Sequence, residues 1–196
     1  MNGSKRQTRD AIIGAAAKLF YDEGIRKIGV DAIAAEAGVT KRTLYYHFKS
    51  KDELVSAYLE DRHEPTLAML RRTLAGDGDV VGRVRNFFLA LHERVRSVEW
   101  KGCLFLRAVA EVRSEPGHPA LEIASTHKTA VEALFREQLE AEEVPHAALC
   151  AQQLLLLYEG ALIEVLVRSD PEYAIAAADA AALLVHVSLE GSSDGR

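Results

Sequence analysis

Apolar residues recur at helical spacing along almost the whole chain. Between Thr8 and Glu23 they fall at Ile12, Ala16, Leu19 and Phe20, one face of a helix, and Gly24 follows as a left-handed stop. A short second helix is expected over Asp31–Ala37, carrying Ile33, Ala34 and Ala37, and it breaks at Gly38-Val39-Thr40. Thr40 has the side chain to cap a third helix, Lys41–Phe48. Ser50-Lys51-Asp52-Glu53 has the form of a capping box, in which Ser50 accepts the Glu53 backbone N–H and the Glu53 carboxylate reaches back. It opens a long fourth helix to about Leu74, with Pro65 as an expected kink. Ala75-Gly76-Asp77-Gly78-Asp79 is a turn cluster. Further helices are expected at about 80–98, 103–113, 119–143, 146–168 and 172–189, with breaks at Lys101-Gly102, Glu115-Pro116-Gly117, Val144-Pro145 and Asp170-Pro171. No alternating strand pattern competes and no internal repeat is visible. The fold class is therefore all-α, with about nine helices, and Gly191–Arg196 reads as a frayed polar tail.

Length and composition narrow the class. A chain of 196 residues buries about 70% of its unfolded surface and needs no disulfide staples. No run of about 18 uninterrupted apolar residues marks a membrane span. Met1–Asp10 is polar and basic with no apolar stretch behind it, so no secretory leader is expected. The two cysteines, Cys103 and Cys150, are too few for a disulfide framework or a cysteine-based zinc site, and a reducing, cytoplasmic setting is the default. None of the seven histidines stands in a His-Glu-x-x-His arrangement. Neither a Gly-x-Ser-x-Gly elbow nor a phosphate loop occurs. No catalytic residues, metal or cofactor are expected, and an enzyme is the disfavoured class.

Charge divides the chain. Residues 1–51 hold ten Lys and Arg against five Asp and Glu, a net +5, whereas the remainder carries a net −10. The excess is read either as a surface for a polyanion or as a solvated face with a chance bias. The spacing of the short helices decides between them. The second and third helices, joined by Gly38-Val39-Thr40, have helix-turn-helix spacing. Gly38 tolerates the positive φ of the turn and Val39 plugs it from beneath. Leu44 and Phe48, at i and i+4, face the core, leaving Lys41, Arg42, Thr43, Tyr45, Tyr46 and His47 near the start and outer surface. Such a helix enters a major groove by its N-terminal residues.

The string Gly38-Val39-Thr40-Lys41-Arg42-Thr43-Leu44-Tyr45-Tyr46-His47-Phe48-Lys49-Ser50-Lys51-Asp52-Glu53-Leu54 strongly resembles the DNA-binding region of the tetracycline-repressor (TetR) family, and Ala11–Gly24 resembles that family's first helix. The close resemblance covers about residues 8–55. It implies a DNA-binding surface of Thr40, Lys41, Arg42, Thr43, Tyr45, Tyr46, His47 and Lys51. Lys41, Arg42 and Thr43 would read bases, with Arg42 able to pair bidentately with guanine. Tyr45 would meet a thymine methyl or a phosphate, and Tyr46, His47 and Lys51 would meet phosphates. Many members carry a phosphate-bonding Thr just before the second helix. Here Ile28-Gly29-Val30 stands in that place, leaving Gly29 as a weak cap. Lys5, Arg6 and Arg9 read as a solvated amino-terminal arm. Gly102-Cys103, Glu111, His118-Pro119 and His127-Lys128 fit, more weakly, a regulatory-domain pattern of the family. Glu111 and His127 are read either as pocket groups or as structural pairs.

The resemblance implies a ligand-responsive regulator, a repressor by preference. It would bind palindromic double-stranded operator DNA as a homodimer and be released by a small-molecule effector. A thiol-responsive regulator acting through Cys103 or Cys150 is the alternative. The helix at 147–167 has a broad apolar face and a second stripe at spacing seven, Leu149, Leu156 and Ile163, joined by Gly160 and Val167. A helix apolar on two sides needs two partners, either a second subunit or neighbours within one. The last helix is rich in alanine, which permits close approach. Candidate effector contacts, chosen by type and location, are Phe88, His92, Trp100, Cys103, Phe105, Arg107, His127 and Tyr158; each is equally an ordinary core residue. The division expected is a DNA-binding domain at 1–52 with its motif at about 30–49, an effector and dimerisation domain at 53–190, and the tail at 191–196.

Overall fold

The first helix, α1, runs Asn2–Glu23, starting six residues before Thr8, where the apolar pattern places it. Its polar opening turns contain no helix breaker. They gain from the Thr8 Oγ1–Ser4 carbonyl bond at 3.0 Å and from Arg6–Asp10 at i, i+4. The arm expected there is thus helix, with Lys5, Arg6 and Arg9 exposed along it. The computed structural model describes residues 2–190, and the tail expected at 191–196 lies outside them.

The remaining helices are α2 (Val30–Glu36), α3 (Lys41–His47), α4 (Lys51–Leu74), α5 (Val80–Val95), α6 (Leu104–Val112), α7 (Pro119–Ala141), α8 (Ala147–Arg168) and α9 (Glu172–Glu190). Among the described residues the fold is all-α. Sequence signals set most ends. Gly24 and Gly38 adopt φ of +95° and +66° at the stops of α1 and α2. Gly29 caps α2 without a side-chain bond. Thr40 Oγ1 accepts the Thr43 N–H at 3.1 Å. At α4 half of the capping box forms as expected, with Ser50 Oγ accepting the Glu53 N–H at 3.1 Å, while Glu53 Oε2 reaches one residue further back and accepts the Lys49 N–H at 2.6 Å. α4 continues as helix through Pro65.

The chain forms two compact units, and they interleave along the sequence. Among the described residues, one gathers 2–65 and 103–127, the other 66–102 and 128–190. In the first unit Ile12, Ala16 and Phe20 of α1, Ile33 of α2, Leu44 and Phe48 at α3, and Leu54, Val55 and Leu59 of α4 share a core with Phe105, Ala108 and Val112 of α6. That α6 belongs to the core of the unit holding the three short helices is not legible from the sequence.

In the second unit α5 packs along α9, and α9 along α8. Its centre is aromatic: Phe87 lies 5.0 Å from Phe135 and 5.2 Å from Tyr158 between ring centroids, with Phe88 beside them. α8 buries Leu154, Tyr158, Leu162 and Val165, and α9 buries Ala174, Ala178, Ala181 and Val185. By length and mean hydropathy alone each of these two helices would reach across a bilayer, a feature that uninterrupted apolar runs do not detect. In the fold each buries one face against its neighbours.

Candidate functional site

α3 shows why its residue types are distributed as they are. Leu44 and the following Phe48 are fully buried. Lys41, Arg42, Tyr45 and Tyr46 are exposed, at i, i+1, i+4 and i+5, so they form one continuous outer face. Tyr46 is 69% exposed, far beyond what a packing tyrosine shows. His47 is half-buried, edge-on to Tyr46 at 5.2 Å. Thr43 is half-buried and its hydroxyl lies 2.9 Å from that of Thr40, so these two threonines are engaged in starting the helix.

The basic groups are held differently. Lys41 Nζ sits 2.9 Å from Asp31 Oδ2 of α2, and this bond raises the lysine's pKa. Any anion approaching Lys41 competes with Asp31 for it. Arg42 is exposed and its guanidinium makes no bond within the described residues. Lys51 is half-buried at the start of α4, where burial lowers its pKa against the opposing pull of Glu111, Asp52 and Glu115. From α1, Lys5 Nζ lies 4.9 Å over the Tyr46 ring and the Arg9 guanidinium 5.0 Å over the Phe48 ring. Lys5 thereby joins the same surface, which an isolated arm would not do.

The eight effector candidates are distributed over the two units. Phe105 and His127 stack at 3.7 Å in the first unit, and His127 Nδ1 lies 3.1 Å from His63 Nδ1. Arg107 donates to the Tyr21 carbonyl at 2.7 Å beside a space of about 10 Å³, too small for a ligand and barely enough for one water. Cys103 is half-buried at the N-cap of α6. In the second unit Phe88 is buried in the aromatic centre, and His92 lies between Glu93 and Glu172. Trp100 lines a groove of about 460 Å³ with Val98, Val165 and Pro171. Tyr158 lines a cavity of about 190 Å³ with Met69, Leu70 and Thr73 of α4 and Phe87, Leu91 and Arg94 of α5. Arg94 is absent from the sequence expectations; its signal is a basic residue at i+7 from Phe87 and i+3 from Leu91, on an otherwise apolar face.

Cys150 offers little nucleophile. Cys150 is buried and its pKa is pushed up by that burial, with Ser188 Oγ at 3.9 Å. On α8, Leu149, Leu156, Ile163 and Val167 are exposed at 56%, 72%, 41% and 74%, and Gly160 lies among them. Leu183 and Val187 of α9 are exposed too. Leu166 of α8 is also 42% exposed.

Comparison with known proteins bears on these features. Residues 12–58 match the family model described as bacterial regulatory proteins, tetR family. The chain is 32% identical over 120 residues to the HTH-type transcriptional regulator TtgR of Pseudomonas putida, a match covering 56% of this chain and 57% of that protein. It is 27% identical to the Escherichia coli HTH-type transcriptional regulator YjdC over 81% of this chain and 83% of that one. The crystal structure of a TetR-family transcriptional regulator from Streptomyces coelicolor superposes with a TM-score of 0.77 at 30% identity, covering 96% of this chain and 97% of that one. The match thus runs along nearly the whole of a known regulator: the chain belongs to the TetR family of helix-turn-helix transcriptional regulators, which bind DNA and are not enzymes.

Proposed function

We propose that the protein is a ligand-responsive repressor. It binds a palindromic stretch of double-stranded operator DNA as a homodimer and releases it when a small molecule fills the cavity lined by α4, α5 and α8. The observation that carries the reading is the exposed apolar stripe of α8, in a chain whose α3 presents a basic, aromatic face to solvent. One recognition helix meets few base edges, and a two-fold pair doubles them. Each Leu, Ile or Val of the stripe gains up to about 1.5–3 kcal/mol when a second copy covers it.

On the DNA, Lys41, Arg42 and Thr43 meet base edges, Tyr45, Tyr46, His47 and Lys51 meet the backbone, and Thr40 fixes the start of the reading helix. The functional division is a reading head at 1–52 and an effector and pairing region at 53–190. α4 carries Lys51 at its first turn and Met69 and Leu70 on the cavity, so a ligand that favours one setting of α4 alters the fit to DNA by its differential affinity for that setting. The location that follows is the cytoplasm.

The test is sedimentation of the purified chain, followed by fluorescence titration with DNA from its own promoter and with random duplex. A dimer that prefers the promoter is expected. A monomer at micromolar concentration with no preference refutes the reading.

A further inference from the structure

We infer that the cavity lined by α4, α5 and α8 takes a small carboxylate with a short apolar or aromatic body, held by Arg94; the inference rests on the proposed role of this cavity as the effector site. Met69, Leu70, Phe87 and Leu91 give the walls an apolar character. Arg94 brings a full positive charge to them. Its Nη2 donates to the Tyr158 hydroxyl at 2.9 Å, and its Nη1 has only the weak acceptor Met69 Sδ at 3.8 Å. Its Nε is buried and has no hydrogen-bond partner among the described residues. Nor does any carboxylate among them form an ion pair with Arg94. A guanidinium drawn out of water without a counter-charge is costly, and an unmet N–H adds to that cost.

Arg83, earlier on the same helix, is the instructive comparison. Its Nε is also unmet. Yet its Nη2 is held by the Glu142 carboxylate and its Nη1 by the Gly78 carbonyl, each at 2.8 Å, and it does not line the cavity. The charge of Arg83 is neutralised by the fold, whereas that of Arg94 is left for an occupant. A carboxylate accepts charge-assisted N–H bonds from the fork of a guanidinium. The Tyr158 hydroxyl fixes the plane of that fork. The volume, about 190 Å³, lies below the roughly 300–1,000 Å³ of pockets for drug-sized ligands, so the body attached to the carboxylate is small.

The experiment is calorimetric titration of the purified full chain with hexanoate and benzoate, with hexanamide and benzamide, and with hexylamine and benzylamine. The same six compounds are then added to its complex with promoter DNA. Each carboxylate is expected to bind about tenfold or more tighter than its amide, and the amines not at all. In Arg94→Met the acid and amide should bind alike, and Arg94→Lys should keep part of the preference. If Arg94→Met does not fold, the acid-to-amide ratio in the unaltered chain decides alone. Equal binding of acid and amide, preference for the amines, or no binding of either acid overturns the inference. Release of promoter DNA by an amide but not its acid also overturns it, while leaving ligand response intact. Acid binding that needs Arg94 but leaves promoter affinity unchanged upholds the anion site and refutes the effector role.

Discussion

The Glu111 carboxylate of α6 accepts the Arg26 backbone N–H at 2.7 Å and, with its other oxygen, that of Ile25 at 3.0 Å. These are the first two residues after Gly24, where the chain leaves α1 with φ of +95°. One side chain thus satisfies two backbone donors in the turn that follows the helix. Of the two readings open for Glu111, pocket group or structural pair, the geometry selects the second. Glu111→Ala should destabilise the first unit by about 2–4 kcal/mol, since it leaves two donors without their charged acceptor. Glu111→Gln should cost about half as much, because one oxygen remains. A Cβ on Gly24 would sit 3.2 Å from both Glu111 oxygens, so Gly24→Ala adds crowding to an unfavourable φ and should cost at least about 1 kcal/mol. Urea denaturation of the three variants measures all of this.

Arg42 and Lys51 separate reading from holding. Arg42→Ala should reduce the preference for promoter over random duplex, losing about 1–3 kcal/mol on the promoter and little elsewhere. Lys51→Ala should weaken both complexes alike and lower the slope of log affinity against log salt by roughly one. Titrations at several salt concentrations distinguish the two patterns. Equal loss on both DNAs for Arg42→Ala removes it from the base-reading set.

Gly160 reports on what covers α8. A Cβ added there meets nothing within 4 Å of its own chain. On a helix facing water, Gly160→Ala would stabilise by up to about 1 kcal/mol through helix propensity. Against a second copy, Gly160→Leu holds the two helices apart. Gly160→Leu and Leu156→Glu are therefore each expected to raise the dimer dissociation constant at least roughly tenfold, with helical content unchanged. Sedimentation across a concentration series and circular dichroism are the measurements.

The sequence was most legible where local chemistry acts alone. Thr40, the Ser50–Glu53 box, Gly24 and Gly38 place helix ends correctly because each satisfies backbone groups within a few residues. The outer face of α3 follows from Leu44 and Phe48 being buried four residues apart. The opening turns of α1 were less legible, since a polar helix has no apolar rhythm to show itself. The union of α6 with the short helices rests on Phe105, Ala108 and Val112 meeting α1 and α4 far away in sequence, which periodicity does not encode. Of the aromatic candidates, Tyr158 lines the cavity, whereas Phe88 and Phe105 are fully buried in the core. Arg94 is not legible as a cavity residue, because a single arginine on an amphipathic helix ordinarily turns to solvent.

Tyr58 gives the first unit a signature at alkaline pH. Its ring is 3% exposed and lies 5.8 Å from that of Phe20, and burial pushes its phenol from about 10 up to about 12. The native state therefore holds the proton more tightly than the unfolded chain. Stability from this source is fully present below about pH 10. It falls as the pH rises toward about 12, because the unfolded chain gives up the proton first. The full loss is roughly 3 kcal/mol, two pK units at about 1.4 kcal/mol each. Tyr58→Phe keeps the packed ring and removes the proton. Its stability should decline less steeply than that of the unaltered chain between about pH 10 and 12, and the difference between the two urea curves isolates Tyr58 from the lysines that titrate alongside. Parallel curves would falsify this assignment and place the Tyr58 hydroxyl in contact with water.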